Sequence, residues 1–174
     1  METVVMPGIT MRQATPNDIA TFAELHEEAA RWLWSRGIRQ WQPGTFQAEW
    51  IEGPFTRGEA YVACDQDEVV ATVIIQPADT ETWGKTVDAA GYIHGLRVRR
   101  RVAGRGIGLA VLQWAEREIA AQGNRIARLD CMGTNQGLCA YYERAGYRRV
   151  RTVTFQDQDE PYMLALFEKR LDGN

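Results

Sequence analysis

The sequence is poor in the residues that build metal centres, disulfide frameworks and membrane spans. Its 174 residues include three cysteines and two histidines. The cysteines, Cys64, Cys131 and Cys139, form no C-x-x-C pair, which argues against disulfides and zinc and favours core thiols. No apolar run approaches the length of a membrane span, and METVVMPG at the start lacks the basic and apolar regions of a signal peptide. We therefore expect a cytoplasmic protein with no metal and no membrane partner.

The chain also lacks the excess of positive charge that typifies nucleic-acid-binding proteins. Its net charge is −3 and its isoelectric point is about 5.5, so any basic patch is local. Five arginines lie within residues 97–108, but the overall charge argues against a nucleic-acid partner. The length, with 45% hydrophobic and 25% charged residues, suits a single domain over residues 1–174.

Apolar periodicity and turn residues predict the order of strands and helices along the chain. Strands are predicted at residues 9–14, 60–65, 68–76, 91–98, 125–132, 147–156 and 162–171. Helices are predicted at residues 16–35, 45–53, 107–123 and 135–146. This order predicts an α/β fold, with a central mixed and mostly antiparallel sheet of six or seven strands flanked by four helices.

The densest chemical signal is RVRRRVAGRGIG at residues 97–108, which follows a predicted strand and opens a predicted helix. Backbone amides at a helix N-terminus favour anions, and glycines let phosphate oxygens approach the backbone. The glycine spacing matches neither the G-x-G-x-x-G dinucleotide fingerprint nor a Walker loop ending in G-K-[ST]. We therefore interpret this stretch as a phosphate-binding loop for some other nucleotide-tailed cofactor.

Three motifs in this order resemble the GNAT (GCN5-related) N-acetyltransferase superfamily. GYIHGLRV resembles the family's fourth strand, AGRGIG its [QR]-x-x-G-x-[GA] pyrophosphate loop, and NQGLCAYYERAGY its N-x₆-Y-E-x-x-G-[FY] helix. The resemblance is strongest over residues 90–147. It implies a GNAT-like fold that is splayed between its fourth and fifth strands, where the pantetheine of acetyl-CoA enters. It also implies acetyl-CoA as cosubstrate and no metal.

The resemblance assigns cofactor contacts to the strand, the loop and the start of the last helix. The Leu96 amide is the expected donor to the thioester carbonyl, and Asn135 is expected to bond pantetheine or backbone. The implied set is Leu96, Arg97, Val98, Ala103, Gly104, Arg105, Gly106, Ile107, Gly108, Leu109 and Asn135. When the loop is aligned so that Ile107 and Gly108 begin the helix, as they do in the family, the family's Gln or Arg corresponds to Ala103. A register shifted by two residues places it on Arg101 instead.

The resemblance also implies direct attack by an amine on the thioester, within a ternary complex. Tyr142 matches the family's general-acid tyrosine, although a packed aromatic on an amphipathic helix is the alternative. His94 is the candidate general base, with a buried structural histidine or a water chain as open alternatives. Tyr92 stands where other members carry a catalytic glutamate. His26 lies on the apolar face of the first helix and is interpreted as structural.

The expected acceptor is a primary amine of a small molecule or a peptide. The segments that hold the acceptor in the family carry aromatic and acidic residues here, namely Trp32, Trp34, Gln40, Trp41, Gln42, Asp79, Glu81, Trp83 and Asp88. The tryptophans form either an acceptor wall or the packed end of the first helix. The alternative function is a catalytically silent acyl-CoA-binding sensor or interaction module. Many family members pair, so a homodimer is a further expectation.

Overall fold

A computed structural model of the chain describes residues 2–156 and 161–171. The strands are β1 (Thr3–Met6), β2 (Ile9–Gln13), β3 (Ala60–Asp65), β4 (Glu68–Gln76), β5 (Ala90–Val98), β6 (Ile126–Met132), β7 (Arg148–Phe155) and β8 (Tyr162–Arg170). The α-helices are α1 (Ile19–Ser35), α2 (Glu49–Thr56), α3 (Ile107–Ala121) and α4 (Gln136–Arg144). The strands form one mixed sheet in the order β1-β2-β3-β4-β5-β6-β8-β7.

The predicted α/β class, the mixed sheet and the four helices are confirmed for the described residues. The predicted strand number is wrong, because the described chain has eight strands and not six or seven. The additional strand, β1, pairs antiparallel with β2 at the edge of the sheet. Val4 in β1 is 70% exposed, so this short strand has no buried face and no alternating pattern to reveal it.

The chain divides into two compact units, each made of two stretches of sequence. The first unit comprises residues 1–75 and 95–115, and the second comprises residues 76–94 and 116–174. Strand β5 contributes its first residues to the second unit and its last residues to the first. The single domain expected over residues 1–174 stays a prediction.

The first unit packs α1 and α2 on one side of the antiparallel strands β2, β3 and β4. β2 pairs with β3 from Ile9↔Asp65 to Gln13↔Tyr61. Its core consists of buried apolar residues: Phe22, Ile51, Ala60, Val62, Cys64, Val69 and Ile74. The Phe22 ring also meets the edge of Phe55, with ring centroids 4.9 Å apart. The apolar face of α1 therefore fixes this helix against the sheet.

A capping box at Thr15 determines where α1 begins. The Thr15 amide donates to the Asp18 carboxylate at 2.7 Å, and Pro16 opens a short 3-10 turn that leads into the helix. Arg12 on β2 holds the same carboxylate with two hydrogen bonds of 2.8 Å. This bidentate contact lowers the pKa of Asp18 to about 2, which keeps the cap charged at any ordinary pH.

The second unit is built on β6, which pairs with β8, and on β8, which pairs with β7, both antiparallel. The first residues of β5 pair with β6 in parallel, from Ala90↔Ile126 to Ile93↔Leu129. Leu129 and Phe167 are buried in the core of this unit.

Pairing between β5 and β6 covers only part of either strand. It ends at Ile93↔Leu129, although β5 runs to Val98 and β6 to Met132. Gly95 follows within two residues and has φ +59, a left-handed conformation that disturbs a strand and favours glycine. The end of pairing agrees with the splay that the family resemblance implies for these two strands.

Gly91 offers a test of the packing in the second unit. A Cβ atom at this position would lie 2.6 Å from the Ile119 side chain on α3, so Gly91→Ala forces two packed elements apart. We expect a loss of about 1–3 kcal/mol of unfolding free energy, measured by urea denaturation. The matched control is Gly137→Ala on α4, where a Cβ meets only the Asn135 side chain at 3.8 Å. A Gly91→Ala protein as stable as the control would contradict this packing.

Candidate functional site

The predicted phosphate loop has a backbone shaped for an anion. Gly104 and Gly106 have φ of +81 and +83, which residues with a side chain rarely adopt, and α3 begins immediately afterwards at Ile107. The Ala110 amide donates to the Gly106 carbonyl at 3.0 Å and starts the helical hydrogen-bond ladder. The amides of residues 107–109 therefore lie in the first turn, where no helical carbonyl can accept from them. Together with the helix dipole, they suit a phosphate.

Two of the five arginines of this stretch, Arg99 and Arg101, form ion pairs within the first unit. Arg99 donates to the Val69 carbonyl at 2.9 Å and to Glu24 at 3.0 Å. Arg101 forms an ion pair with Glu68. Arg105 is exposed and forms no ion pair within the described part of the chain. The glycines and amides thus define the loop more than the cluster of positive charge does.

Ala103 is the position that departs from the family pattern in the preferred register, whereas Arg101 fits the pattern in the alternative one. Ala103 follows a single 3-10 turn, Arg100–Val102, and has an extended backbone with φ −61 and ψ 150. Its amide donates to the Arg100 carbonyl at 3.2 Å. The residue therefore links the turn to the glycines without a side chain that could bind an anion.

Leu96, Arg97 and Val98 form the last part of β5, in the first unit, and all three are partly buried. The Arg97 guanidinium lies over the Trp41 ring, 4.9 Å from its centroid. Its Nε atom is shielded from solvent and has no hydrogen-bond partner. Burial lowers the pKa of Arg97 to about 10, so the side chain still carries its charge at neutral pH.

An aromatic cluster surrounds His26 in the same unit. The His26 ring lies 4.8 Å from Trp41, 5.0 Å from Phe46 and 6.1 Å from Trp50, measured between centroids. His26 is buried, and neither ring nitrogen has a hydrogen-bond partner. Burial, and then the nearby charge of Arg97, lower the pKa of His26 to about 4. The imidazole is therefore neutral at physiological pH.

His94 lies between two carboxylates in the second unit. Its Nε2 atom is 3.7 Å from Asp79 Oδ2, and its Nδ1 atom is 4.0 Å from Asp130 Oδ2. His94 is 27% exposed, Asp79 10% and Asp130 18%. The pKa of Asp130 is raised, mainly because burial disfavours the charged carboxylate. The nearby Asp79 also raises this pKa, whereas His94 lowers it. Three ionisable side chains thus lie together and are largely shielded from solvent.

Sequence reasoning named Asp79 as an acceptor-loop carboxylate but missed Asp130 as the partner of His94. The missing signal is the strand register, in which Tyr92 is opposite Arg128. Two residues further along both strands, His94 comes opposite Asp130. Asp79, His94 and Asp130 can each supply one ligand atom for a cation, and these three atoms lie within 4.8 Å of one another. The expected absence of a metal stays a prediction.

Asn135 and Tyr142 lie on or beside α4 in the second unit, and both are buried. The Asn135 side chain caps the helix by accepting from the Leu138 amide at 3.2 Å. Tyr142 is 7% exposed and packs against Tyr147 and Phe167, with ring centroids 6.0 Å away in each case. Burial raises the pKa of Tyr142 above its ordinary value, so the phenol keeps its proton and can only donate it near neutral pH.

Two cysteines near Tyr142 are poor candidates for a covalent intermediate. Cys131 on β6 and Cys139 on α4 are buried, with their Sγ atoms 3.7 Å apart. Burial, followed by the neighbouring Cys139, raises the pKa of Cys131 far above its ordinary value. The nucleophilic form of a cysteine is its thiolate, and here the protonated thiol is strongly favoured.

Each unit thus collects part of the predicted machinery. The first unit holds the β5 residues Leu96 to Val98 and the loop from Ala103 to Leu109, and the second holds His94, Asn135 and Tyr142. Among the described residues, no helix is long and apolar enough to span a bilayer.

Comparisons with known proteins identify the family of the chain. The model of the acetyltransferase (GNAT) family matches residues 24–147. The uncharacterized N-acetyltransferase YesJ of Bacillus subtilis is 34% identical over 152 residues, which cover 82% of this chain and 83% of that protein. The chain belongs to the GNAT acetyltransferase family.

Solved structures show the same fold. A GNAT-family acetyltransferase from Listeria monocytogenes superimposes with a TM-score of 0.74 at 24% identity, over 98% of this chain and 99% of that one. YncA, a putative acetyltransferase from Salmonella typhimurium solved with acetyl-CoA, gives a TM-score of 0.68 at 16% identity, over 96% of each chain. At these identities the likeness shows the fold alone.

His26 makes the stability of the protein depend on pH. Its pKa is about 4 in the folded chain and 6.5 without burial, so the unfolded chain binds the proton more readily. Stability is therefore full above pH 6.5 and falls as the pH drops towards 4. Between pH 7.5 and pH 5 we expect a loss of about 2 kcal/mol, measured by urea denaturation. In His26→Phe most of this loss should vanish; an unchanged pH dependence would contradict the neutral buried imidazole.

Proposed function

We propose that this GNAT acetyltransferase transfers the acetyl group of acetyl-CoA to a primary amine of a small molecule or a peptide. The observation that carries the proposal is the loop from Gly104 to Leu109, where two left-handed glycines precede a helix start with free amides. This backbone suits the pyrophosphate of acetyl-CoA. The structure of YncA with its cofactor acetyl-CoA supports the same cosubstrate for this fold.

The proposed transfer is a direct attack within a ternary complex. The amine nitrogen forms a bond to the thioester carbonyl carbon, and the carbon–sulfur bond breaks in the same addition–elimination sequence. The Leu96 amide is proposed to donate to the carbonyl oxygen, where negative charge develops. Arg97 and Val98 are proposed to lie along pantetheine, and Asn135 to bond pantetheine or neighbouring backbone.

Two side chains are proposed to move the protons. Tyr142 gives its proton to the departing thiolate of CoA; burial raises the pKa of the phenol, so it is protonated before the reaction. His94 takes the proton that the amine loses. The carboxylates of Asp79 and Asp130, one facing each ring nitrogen, support this role because they stabilise the imidazolium that forms.

Proteins of similar structure act on amines of both proposed kinds. One is described as the Salmonella typhimurium acetyl transferase that modifies the N-terminal serine of ribosomal protein L7/L12, and another as a putative phosphinothricin N-acetyltransferase. These names concern those proteins alone. A homodimer and a cytoplasmic location stay predictions for this chain.

The function is tested by acetyl-CoA binding followed by release of free thiol. We expect calorimetric binding of acetyl-CoA, and thiol release when a panel of amino acids, polyamines and peptides is added. Gly106→Ala should weaken acetyl-CoA binding about tenfold or more, because an alanine Cβ is strained at a left-handed φ beside the phosphate.

The matched control is Gly84→Ala, which carries the same backbone strain at φ +76 in a loop with open space around it. This variant should bind acetyl-CoA like the wild type. An absence of acetyl-CoA binding would overturn the proposal. Binding without thiol release on any amine would favour the silent sensor.

Tyr142→Phe isolates the proposed acid. The substitution removes one hydroxyl from a packed ring, so we expect kcat to fall about 10- to 100-fold while the Kd for acetyl-CoA changes little. Steady-state kinetics and calorimetry measure the two quantities. Tyr141→Phe on the neighbouring helix position is the control and should keep its kcat. Equal kcat values for Tyr142→Phe and the wild type would show that Tyr142 is only a packed aromatic.

A further inference from the structure

Arg97 carries a charge that the described part of the chain leaves uncompensated. It forms no ion pair with any described carboxylate, whereas Arg99 on the same stretch pairs with Glu24 and Arg101 pairs with Glu68. Its side-chain contact with backbone is a long one, 3.5 Å from Nη1 to the Gly95 carbonyl. The shielded Nε atom has no partner at all. A nitrogen donor that is shielded from water normally has a hydrogen-bond partner.

The described surroundings of Arg97 offer no substitute for a counter-ion. One face of the guanidinium is covered by the Trp41 ring, and the neighbouring His26 is neutral at physiological pH. Glu27, beside His26 in the chain, is already occupied: its carboxylate accepts from Arg31 Nε at 2.6 Å and from the Gly44 amide at 2.6 Å. Among the described residues no carboxylate is left for Arg97, so we assign the missing negative charge to a bound molecule.

The chemistry of the site selects a carboxylate. A guanidinium stacked on an aromatic face keeps its edge free, and that edge matches the two oxygens of a carboxylate. A single positive charge balances the single negative charge of this group. The tryptophan and phenylalanine rings nearby suit an organic molecule with an apolar part better than a strongly hydrated phosphate.

We propose that Arg97 binds a carboxylate of the acceptor, so that the acceptor is an amine that also carries a carboxylate, as an amino acid does. This inference rests on the proposed function. Arg97 directly follows Leu96, whose amide is proposed to meet the thioester carbonyl, so an anion at Arg97 belongs to a molecule close to the reacting carbon. Because the acetyl group is uncharged, that molecule is the acceptor.

The test compares amines that differ only in this charge. L-amino acids and their carboxamides are used as acceptors with acetyl-CoA, and free thiol is measured. In the wild type, kcat/KM for each accepted acid should exceed that for its amide about 10- to 100-fold, the range expected for a hydrogen-bonded charge pair. In Arg97→Met this ratio should approach one. Arg97→Lys should restore part of the acid preference, because lysine returns the positive charge but cannot donate to both carboxylate oxygens as a guanidinium does.

Two controls separate recognition from folding. Arg97→Met should melt at the same or a higher temperature than the wild type, because an apolar side chain replaces an unpaired charge. Arg31→Met removes an exposed arginine that is paired with Glu27, and it should keep the acid-to-amide ratio of the wild type. A ratio near one in the wild type, or a ratio unchanged in Arg97→Met, would overturn the assignment.

Binding of the acids without turnover, followed by tryptophan fluorescence, distinguishes this inference from the proposed function. Acid binding that Arg97→Met abolishes, with no thiol release, would keep the carboxylate site and overturn the transfer. Thiol release at equal rates from acids and amides would keep the transfer and overturn the carboxylate site. A preference for succinyl-CoA over acetyl-CoA that Arg97→Met removes would show that the carboxylate belongs to the acyl group, and so overturn the assignment to the acceptor.

Discussion

The end of pairing along β5 is the constraint on which the candidate chemistry depends. The strand is held to β6 through Ile93, and the left-handed Gly95 follows at once. Residues beyond this point stay extended but no longer exchange backbone hydrogen bonds with β6 in the described register. His94 and Leu96 stand on either side of the glycine. A strand freed in this way keeps donors and acceptors that a cofactor can use, which a fully paired strand does not.

In the loop proposed to bind phosphate, backbone geometry takes the place of a side chain. Ala103 offers no donor beyond its amide, which is already bonded to the turn before it. Arg101, the residue that fits the alternative register, is engaged with Glu68. The conformation of Gly104 and Gly106 therefore matters more than the identity of either candidate residue. Loss of the family's Gln or Arg is tolerable where the helix N-terminus and the glycine backbone supply the donors.

The sequence predicted those secondary-structure elements that local residue patterns determine. The bounds predicted for β3 and β4, residues 60–65 and 68–76, are those observed, because buried alternation and a tight polar turn mark them. Residues 45–53 were predicted to be helical, but α2 runs from Glu49 to Thr56, because Pro54 is buried within the helix and does not end it. The pairings of Arg97 with Trp41 and of His94 with Asp130 join distant parts of the chain. No local period encodes such contacts, so tertiary structure had to reveal them.

Folding alone does not account for the charged side chains of Arg97 and Asp130. A partly buried arginine with a shielded, unpaired Nε atom is less favourable than an apolar side chain of similar size. Likewise Asp130 is placed where burial disfavours its charged form. Residues that cost stability in a well-packed core persist where binding or proton transfer requires them. The unpaired charge of Arg97 is therefore best explained by a ligand whose own charge completes it.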